Sequence, residues 1–159
     1  MSLLGLDVGT TGTKAIIFNE EGNILSSAYR EYPLYHPHPG WIELNPEEVW
    51  EKVSQAIKEA LSGCQDAPKA MAICAQGEAF TPVSKKGEIL GPSIVTFDSR
   101  STDMVRVLAE KIPPEETFQV TGMPANQISS IYKMMWVKQE NPHIFRETDK
   151  FLCWEDFVV

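Results

Sequence analysis

The densest group of residues that could do chemistry lies between two apolar stretches near the start of the chain. These residues are Asp7, Gly9, Thr10, Thr11, Gly12, Thr13 and Lys14. Glycine lets backbone N–H groups approach an anion without a Cβ in the way, and the threonine hydroxyls add further donors. The lysine adds a compact positive charge. The spacing therefore predicts a phosphate-binding turn over Gly9–Lys14, which is typical of a protein that handles a nucleoside triphosphate.

The predicted turn differs from the Walker loop, which needs four residues between its first glycine and Gly-Lys-Ser/Thr and opens a helix. Residues 15–19 are instead rich in β-forming side chains, and a turn cluster follows at residues 20–23. The phosphate-binding turn is therefore expected between two antiparallel strands. Asp7 ends the first strand, where a carboxylate could hold a metal ion directly or through water. The alternative is an ordinary Gly/Thr hairpin turn next to an acid.

Composition limits the class of protein. The chain has 159 residues, 43% of them hydrophobic, which is enough to bury the core of one domain. Its net charge of −8 disfavours nucleic acid or an anionic membrane as a partner. No apolar run approaches the roughly 20 residues of a membrane span. Cys64, Cys74 and Cys153 are widely spaced, which fits a reducing cytoplasm, with Cys74 and Cys153 as small core residues.

Strands and helices must position the predicted turn. The pattern predicts three strands at about residues 3–8, 14–19 and 24–32, and a helix over about 46–62. A strand over 70–75, a hairpin over 80–90, a strand over 93–97, helices over about 101–111 and 129–140, and a strand from 151 follow. Residues 154–159 look like the start of a further helix without a terminator. We therefore expect the opening part of a longer protein; the alternative is a complete small domain.

The first helix has a clear start signal. Asn45 is a good N-cap, and Pro46 occupies the first helical position. Apolar residues recur at helical spacing and predict the buried stripe. They are Val49, Trp50, Val53, Ala56, Ile57, Ala60 and Leu61. We interpret Trp41 and Trp50 as packing around the helix start and not as substrate contacts.

Polar residues follow two of the predicted strands directly. Residues 70–75 form a short apolar run, expected of a strand buried on both faces, and Gln76, Gly77 and Glu78 end it. Polar side chains at that place are what a ligand cleft requires. Asp98 follows the strand over 93–97 in the same way. Asp98 and Arg100 could instead form a structural ion pair across a turn.

The motifs together resemble the FGGY family of carbohydrate kinases, a branch of the sugar kinase, heat-shock protein and actin superfamily. The resemblance covers most of the chain in five segments that occur in the family's order. They are Asp7–Lys14, Pro39–Trp50 (Gly-Trp-x-Glu-x-x-Pro-x-x-x-Trp), Ile73–Glu78 (a strand ending in Gln), Ile94–Ser101 (Asp-x-Arg-Ser) and Thr121–Trp136 (Thr-Gly-x-Pro then Lys-x-x-Trp).

The resemblance implies an α/β fold: a ribonuclease-H-like (actin-like ATPase) domain over 1–159. It has a mixed sheet with an antiparallel hairpin start and flanking helices, is incomplete at its C-terminus and lacks the second domain. It implies ATP and Mg²⁺ as cofactors, with Asp7 at the magnesium, Gly9–Lys14 at the phosphates, and Gln76, Gly77, Glu78 and Asp98 at a sugar or polyol. The general base, an Asp, is expected beyond Val159, so this chain alone should be inactive. A cytoplasmic location and a homodimer of the full-length protein are compatible with it.

The substrate is less defined. Glycerol kinases have Arg-Glu after the glutamine and two aromatic residues at positions held here by Thr96 and Ile128, which argues against glycerol. Gly77-Glu78 differs from the Met-His of xylulokinases, and Glu78 would repel the carboxylate of gluconate. A neutral pentose, ketose or polyol remains. The alternatives to a carbohydrate kinase are another ATPase of the actin-like fold, or a non-catalytic nucleotide- or sugar-binding domain of that fold.

Overall fold

The computed structural model describes residues 1–159 as two compact units, between which the chain passes four times. The first unit contains residues 1–34, 44–77 and 154–159, and the second contains residues 35–43 and 78–153. The predicted phosphate-binding turn, Gln76 and Gly77 therefore belong to the first unit, whereas Glu78 and Asp98 belong to the second.

A four-stranded mixed sheet forms the first unit. Its strands are β1 (Ser2–Val8), β2 (Gly12–Asn19), β3 (Ile24–Glu31) and β5 (Pro68–Ala75), in the order β3-β2-β1-β5. The first three strands are antiparallel neighbours, and β5 pairs with β1 in parallel. Helix α1 (Pro46–Ser62) packs on β2 and β3, and the short helix α6 (Trp154–Phe157) contacts β5. The predicted antiparallel hairpin start and mixed sheet are confirmed.

Helix α1 begins as the sequence predicts. The Asn45 side chain accepts hydrogen bonds from the backbone N–H groups of Glu47 and Glu48, with Pro46 at the first helical position. The buried face is narrower than predicted, because Trp50 is 47% and Leu61 is 41% exposed. Both lie at the margin of the apolar stripe, so the prediction that Trp50 packs around the helix start is wrong. The buried residues of the helix are Pro46, Val49, Val53, Ala56 and Ala60.

Strand β5 corrects a second prediction. Its apolar sequence indicated a strand buried on both faces, but most of its residues are exposed, including Met71 at 50%. The physical reason is that little covers its faces: helix α1 packs on β2 and β3, and the short helix α6 contacts β5, which lies at the edge of the sheet. Cys74 is exposed for the same reason and is not a core residue, and Cys153 is half-buried. All three cysteines are free thiols.

The second unit combines short strands with four helices. Its strands β6 (Phe80–Ser84), β7 (Ser93–Ile94) and β8 (Thr148–Cys153) form a second sheet with β4 (Glu43–Leu44), in the order β4-β7-β6-β8. Its helices are α2 (Thr102–Ala109), α3 (Pro114–Thr121), α4 (Ser130–Glu140) and α5 (Pro142–Glu147). The strand predicted over 93–97 is only two residues long, because the chain leaves the sheet in a turn after Ile94.

The core of the second unit lies between its sheet and helix α4. Phe80, Ile94 and Val137 are its buried centre. Half-buried side chains surround it, among them Met134, Trp136, Ile144, Phe145, Phe151 and Cys153. Helices α3 and α5 were not predicted, because neither has an apolar stripe: no residue of either helix is fully buried. No helix in residues 1–159 combines the length and the apolar content that crossing a membrane demands.

The cap of α1 gives a stability prediction. Asn45→Ala leaves the N–H groups of Glu47 and Glu48 without their side-chain acceptor, and should lower the free energy of unfolding by about 1 kcal/mol. Lys58→Ala, on the exposed side of the same helix, is the control and should change it by less than about 0.5 kcal/mol. Urea denaturation of both variants is the measurement. Equal losses would contradict the importance of the cap.

Candidate functional site

The predicted phosphate-binding turn connects β1 to β2 in the first unit. The Gly9 N–H donates to the Gly12 carbonyl at 2.9 Å, which closes the turn. Asp7 and Lys14 are direct partners across the two antiparallel strands, and both are exposed. They line a depression of about 260 Å³ on the sheet, together with residues of β5. The structure therefore brings a carboxylate, an ammonium group and a glycine-rich turn together at one end of the sheet.

Tyr32 supports the turn from within the protein. Its hydroxyl donates to the carbonyl oxygens of Gly9 at 2.7 Å and Gly12 at 3.0 Å, sharing one proton between them. The Tyr32 N–H also donates to the Thr11 carbonyl at 3.3 Å. The side chain is only 5% exposed, and its burial, together with the nearby Asp7 carboxylate, raises the pKa of the phenol far above its usual value. The hydroxyl therefore stays protonated and remains a donor.

Gln76 holds the other side of the same turn. Its side-chain amide donates to the Gly9 carbonyl at 3.1 Å, and its side-chain oxygen accepts from the Thr10 hydroxyl at 3.3 Å. The Gln76 N–H donates to the Val8 carbonyl at 3.0 Å, which continues the parallel pairing of β5 with β1. A residue predicted at the sugar is therefore in direct contact with the predicted phosphate turn. Gly77 follows it as an exposed residue.

Thr13 is buried between the two strands. Its side chain is 0% exposed and its hydroxyl donates to the Asp7 carbonyl at 2.8 Å. Its contact with phosphate stays a prediction, and this hydrogen bond within the strand pair disfavours it. Gly12 has a steric reason to be glycine, since a Cβ there would lie 2.8 Å from the Arg30 carbonyl oxygen and against the Tyr29 hydroxyl.

The outer side of the turn presents backbone donors that the chain itself does not use. The N–H groups of Thr10 and Thr11 have no hydrogen-bond partner within the chain, and Thr11 is exposed. The Lys14 ammonium lies 5.9 Å from the centre of the Tyr29 ring. Amide donors beside one cation form an arrangement that can bind an anion such as phosphate. Asp7 supplies one exposed carboxylate, which fits a magnesium ion that keeps most of its water ligands.

Glu78 is the first predicted site residue of the second unit, and its backbone has an unusual conformation. Its φ is 58°, the only positive value among the non-glycine residues of the chain. Its carboxylate accepts a hydrogen bond from the N–H of Ser130 at the start of α4, and its carbonyl accepts one from the Lys133 ammonium. It also borders a cavity of about 380 Å³ lined by residues of α3 and α4.

Lys133, which the sequence left unassigned, is fully buried. Besides the Glu78 carbonyl, its ammonium group donates to the Ile128 carbonyl at 2.9 Å. Burial lowers its pKa from 10.5 to about 8, while the carboxylates of Glu78 and Asp98 act in the opposite direction.

Asp98 is occupied by partners inside the second unit. Its carboxylate is 0% exposed and accepts from the Ile42 N–H at 2.6 Å and from the backbone and side chain of Arg100 at 2.7–2.9 Å. The Arg100 guanidinium also pairs with Glu43 at 2.8 Å and lies over the rings of Trp41 and Trp136. The structural ion pair, the alternative left open by the sequence, is the role that this geometry favours for Asp98.

Sequence reasoning missed Tyr32 and could not place Lys133. A tyrosine at the end of a strand has no special spacing, and nothing in the sequence signals that its hydroxyl reaches back to Gly9 and Gly12. Lys133 belongs to the Lys-x-x-Trp motif, which singled it out without giving it a partner. Both are identified only by what they contact.

The support of the turn by Tyr32 can be tested without any ligand. Tyr32→Phe removes the donor of two turn carbonyls in a buried place, and should lower the free energy of unfolding by about 1–3 kcal/mol. Tyr29→Phe is the matched control, because that ring is 45% exposed, and should have little effect. Chemical denaturation measures both. A Tyr32→Phe variant as stable as the wild type would refute this role.

The buried lysine predicts how stability depends on pH. Between pH 8 and about 10.5 the folded state binds fewer protons at Lys133 than the unfolded state, so stability should rise with pH. Below pH 8 both states are protonated and the burial cost is fully present. Above pH 10 the raised pKa of Tyr32 should make stability fall as pH rises, because the folded state then keeps a proton that the unfolded state loses.

Urea denaturation at pH 7.5 and pH 9.5 is the measurement. The unfolding free energy of the wild type should gain about 1–2 kcal/mol relative to that of Lys133→Met over this interval. Glu78, Asp98, Cys153 and Arg100 are the charged or titratable groups around the lysine, and the variant keeps them all. Parallel pH profiles for the two proteins would show that burial does not shift the Lys133 titration.

This chain is similar to known sugar and polyol kinases over most of its length. The xylulose kinase of Escherichia coli (strain K12) is 31% identical over 158 residues, which are 98% of this chain and 32% of that protein. The glycerol kinase of Trichodesmium erythraeum (strain IMS101) is 35% identical over 150 residues, 89% of this chain and 30% of that protein. The crystal structure of xylulose kinase from Rhodospirillum rubrum superposes with a TM-score of 0.96 at 26% identity, covering 99% of this chain and 33% of that one.

The predicted α/β fold is thereby confirmed, and the chain spans about a third of the length of the relatives it matches. Residues 2–159 match the family described as "FGGY family of carbohydrate kinases, N-terminal domain". The resemblance seen in the sequence motifs is confirmed over nearly the whole chain. This chain belongs to the FGGY family of carbohydrate kinases.

Proposed function

We propose that the chain is the N-terminal part, residues 1–159, of a kinase that transfers the γ-phosphate of ATP to a hydroxyl group of a neutral sugar or polyol. The observation that carries the proposal is the turn between β1 and β2. Its carbonyls are held by Tyr32 and Gln76, so that the N–H groups of Thr10 and Thr11 are left for a ligand. Family membership supports the assignment of that ligand as ATP.

The phosphate contacts in this proposal come from the turn. The N–H groups of Thr10 and Thr11, the Thr11 hydroxyl and the Lys14 ammonium bind phosphate oxygens, and Gly9 and Gly12 let the backbone approach them. Catalysis of phosphoryl transfer depends mostly on positioning and on stabilising charge. A turn fixed by Tyr32 and Gln76 supplies the positioning before ATP arrives. Thr13 contributes through the strand pair alone.

Asp7 is the magnesium residue of the proposal. Its carboxylate is exposed and lies across the strand pair from Lys14, next to the place proposed for the phosphates. One carboxylate, with water and phosphate oxygens as the remaining ligands, is a common way to bind Mg²⁺. When bound, the ion would neutralise negative charge on the phosphate oxygens.

Sugar recognition is assigned to Gln76, Gly77 and Glu78. A carboxylate next to sugar hydroxyls accepts charge-assisted hydrogen bonds, and it disfavours an anionic substrate such as gluconate. Asp98 is left out as a direct contact, because its carboxylate is buried and bonded to Ile42 and Arg100. We propose that it shapes the second unit through Arg100. We also propose that the full-length protein is cytoplasmic and forms a homodimer.

None of the acids described here is proposed as the general base. Asp7 is assigned to magnesium, Glu78 to the sugar and Asp98 to Arg100, and the resemblance to the family implies a general base in sequence beyond this chain. The 159-residue chain should bind ATP weakly and should not phosphorylate a sugar. Turnover by the purified chain, lost on replacing Lys14, would contradict this.

The substrate is identified by an assay of the full-length protein. A coupled ADP-release assay should give ADP with one or a few neutral pentoses, ketoses or polyols, and little with glycerol, xylulose or gluconate. Preferred use of gluconate would contradict the role of Glu78. Nucleotide or sugar binding without ADP release from any substrate in the panel would favour the non-catalytic alternative.

Lys14 gives the most direct test of the phosphate contacts. Lys14→Ala removes one charge-assisted contact and should raise the KM for ATP by about tenfold or more in the full-length protein. The KM for the sugar should change much less. Lys85→Ala, in the exposed turn after β6, is the control and should have the wild-type KM. An unchanged KM for ATP in Lys14→Ala would remove Lys14 from the site.

A further inference from the structure

Glu78 has a backbone conformation that a glutamate rarely adopts. Its φ of 58° lies in the left-handed region, where a side chain with a Cβ is disfavoured unless surrounding contacts hold it. Residues strained in this way are concentrated at functional sites. The contacts that hold Glu78 should therefore matter for whatever its carboxylate does.

Two contacts from α4 hold it. The Ser130 N–H, in the first turn of the helix, donates to the Glu78 carboxylate, and Lys133, one turn further along, donates to the Glu78 carbonyl. The helix thus holds the backbone and the side chain of the same residue. Glu78 lines a cavity together with Thr117, Thr121 and Met123.

Lys133 is an unusual residue for this position. Its side chain is 0% exposed, and the groups that its ammonium contacts are two backbone carbonyls, of Glu78 and Ile128, with no carboxylate in direct contact. A buried cation without an ion-pair partner is costly. An apolar side chain would fill the same space without that cost, so filling space does not explain the lysine. Its three donors do explain it, because they hold two carbonyls that would otherwise be unsatisfied.

From this geometry we infer that Lys133 is a positioning residue for the sugar: it fixes the Glu78 backbone so that the Glu78 carboxylate faces the substrate. The inference rests on the proposed function for the role of Glu78 in sugar recognition. Lys133 itself touches neither sugar nor ATP. Its removal should therefore affect the sugar and not the nucleotide.

The first test concerns the backbone and needs no activity. Lys133→Met keeps the side-chain volume and removes the donors, and Lys133→Gln keeps one donor group, so that at least one variant should fold. The backbone dihedral angles of Glu78, from NMR chemical shifts or a crystal structure, are the readout in the 159-residue chain. Glu78 should leave the left-handed region in Lys133→Met. A φ near the wild-type value in that variant would overturn the inference.

The second test uses the kinetics of the full-length protein with its best sugar. Lys133→Met should raise the KM for the sugar by about tenfold or more, since misplaced contacts of this kind cost one to two orders of magnitude, and should leave the KM for ATP within about twofold. Lys133→Gln should lie between Lys133→Met and the wild type. Lys138→Met, an exposed lysine of the same helix, is the matched control and should have wild-type kinetics.

A double-mutant cycle separates positioning from general stability. If Lys133 acts through Glu78, Glu78→Gln combined with Lys133→Met should raise the sugar KM hardly more than the stronger single variant does. Suppose that the wild type phosphorylates a sugar, so that the proposed function holds. The inference is then overturned if the effects of the two single variants on the sugar KM multiply in the double variant, or if Lys133→Met leaves the sugar KM unchanged. A wild type that phosphorylates no sugar would refute the proposed function and the substrate part of this inference. The dihedral angles of Glu78 would still decide whether Lys133 fixes its backbone.

Discussion

The hydrogen bonds beneath the turn between β1 and β2 are the interactions on which the site depends. A tight glycine turn has its own carbonyls to satisfy, and Tyr32 and Gln76 satisfy those of Gly9 and Gly12 from inside the protein. The N–H groups of Thr10 and Thr11 then have no partner within the chain. Because Tyr32 follows β3 and Gln76 follows β5, residues at the ends of both outermost strands reach the turn at the centre of the sheet. The order of the strands therefore explains how residues distant in sequence come together at one turn.

In the second unit, too, buried side chains hold the backbone in place, here through charged groups. Asp98 and Arg100 are buried together, with Trp41 and Trp136 on the guanidinium, and they tie residues 41–43 to the turn after β7. Lys133 and Ser130 tie Glu78 to helix α4. In each case a buried charge is bonded to several partners at once, which is what makes its burial tolerable. Charged residues of the motifs shared with the family thus serve in part to hold the second unit together.

The helices and strands that have strong local sequence signals were predicted from the sequence. The glycine turn, the Asn45 cap and the helical stripe gave β1, β2 and α1 within two residues, and the ordered motifs gave the family. Predictions failed where the exposure or the contacts of a residue depend on its surroundings in the folded chain. The apolar sequence of β5 cannot reveal that it lies at a sheet edge, and the spacing of Trp50 cannot reveal that it lies at the margin of the stripe. Nor can the type of residue tell an exposed threonine, such as Thr11, from a buried one whose hydroxyl bonds within the strand pair, such as Thr13.

A crystal structure of the full-length protein with Mg²⁺ and a non-hydrolysable ATP analogue would show whether the turn between β1 and β2 binds phosphate. Phosphate oxygens should lie within about 3 Å of the Thr10 and Thr11 N–H nitrogens and of the Lys14 ammonium, with the ion near the Asp7 carboxylate. Gly9 and Gly12 should keep their bonds to Tyr32 in that complex. A nucleotide bound with its phosphates away from the turn, or a turn that leaves Tyr32 to bind it, would contradict the account.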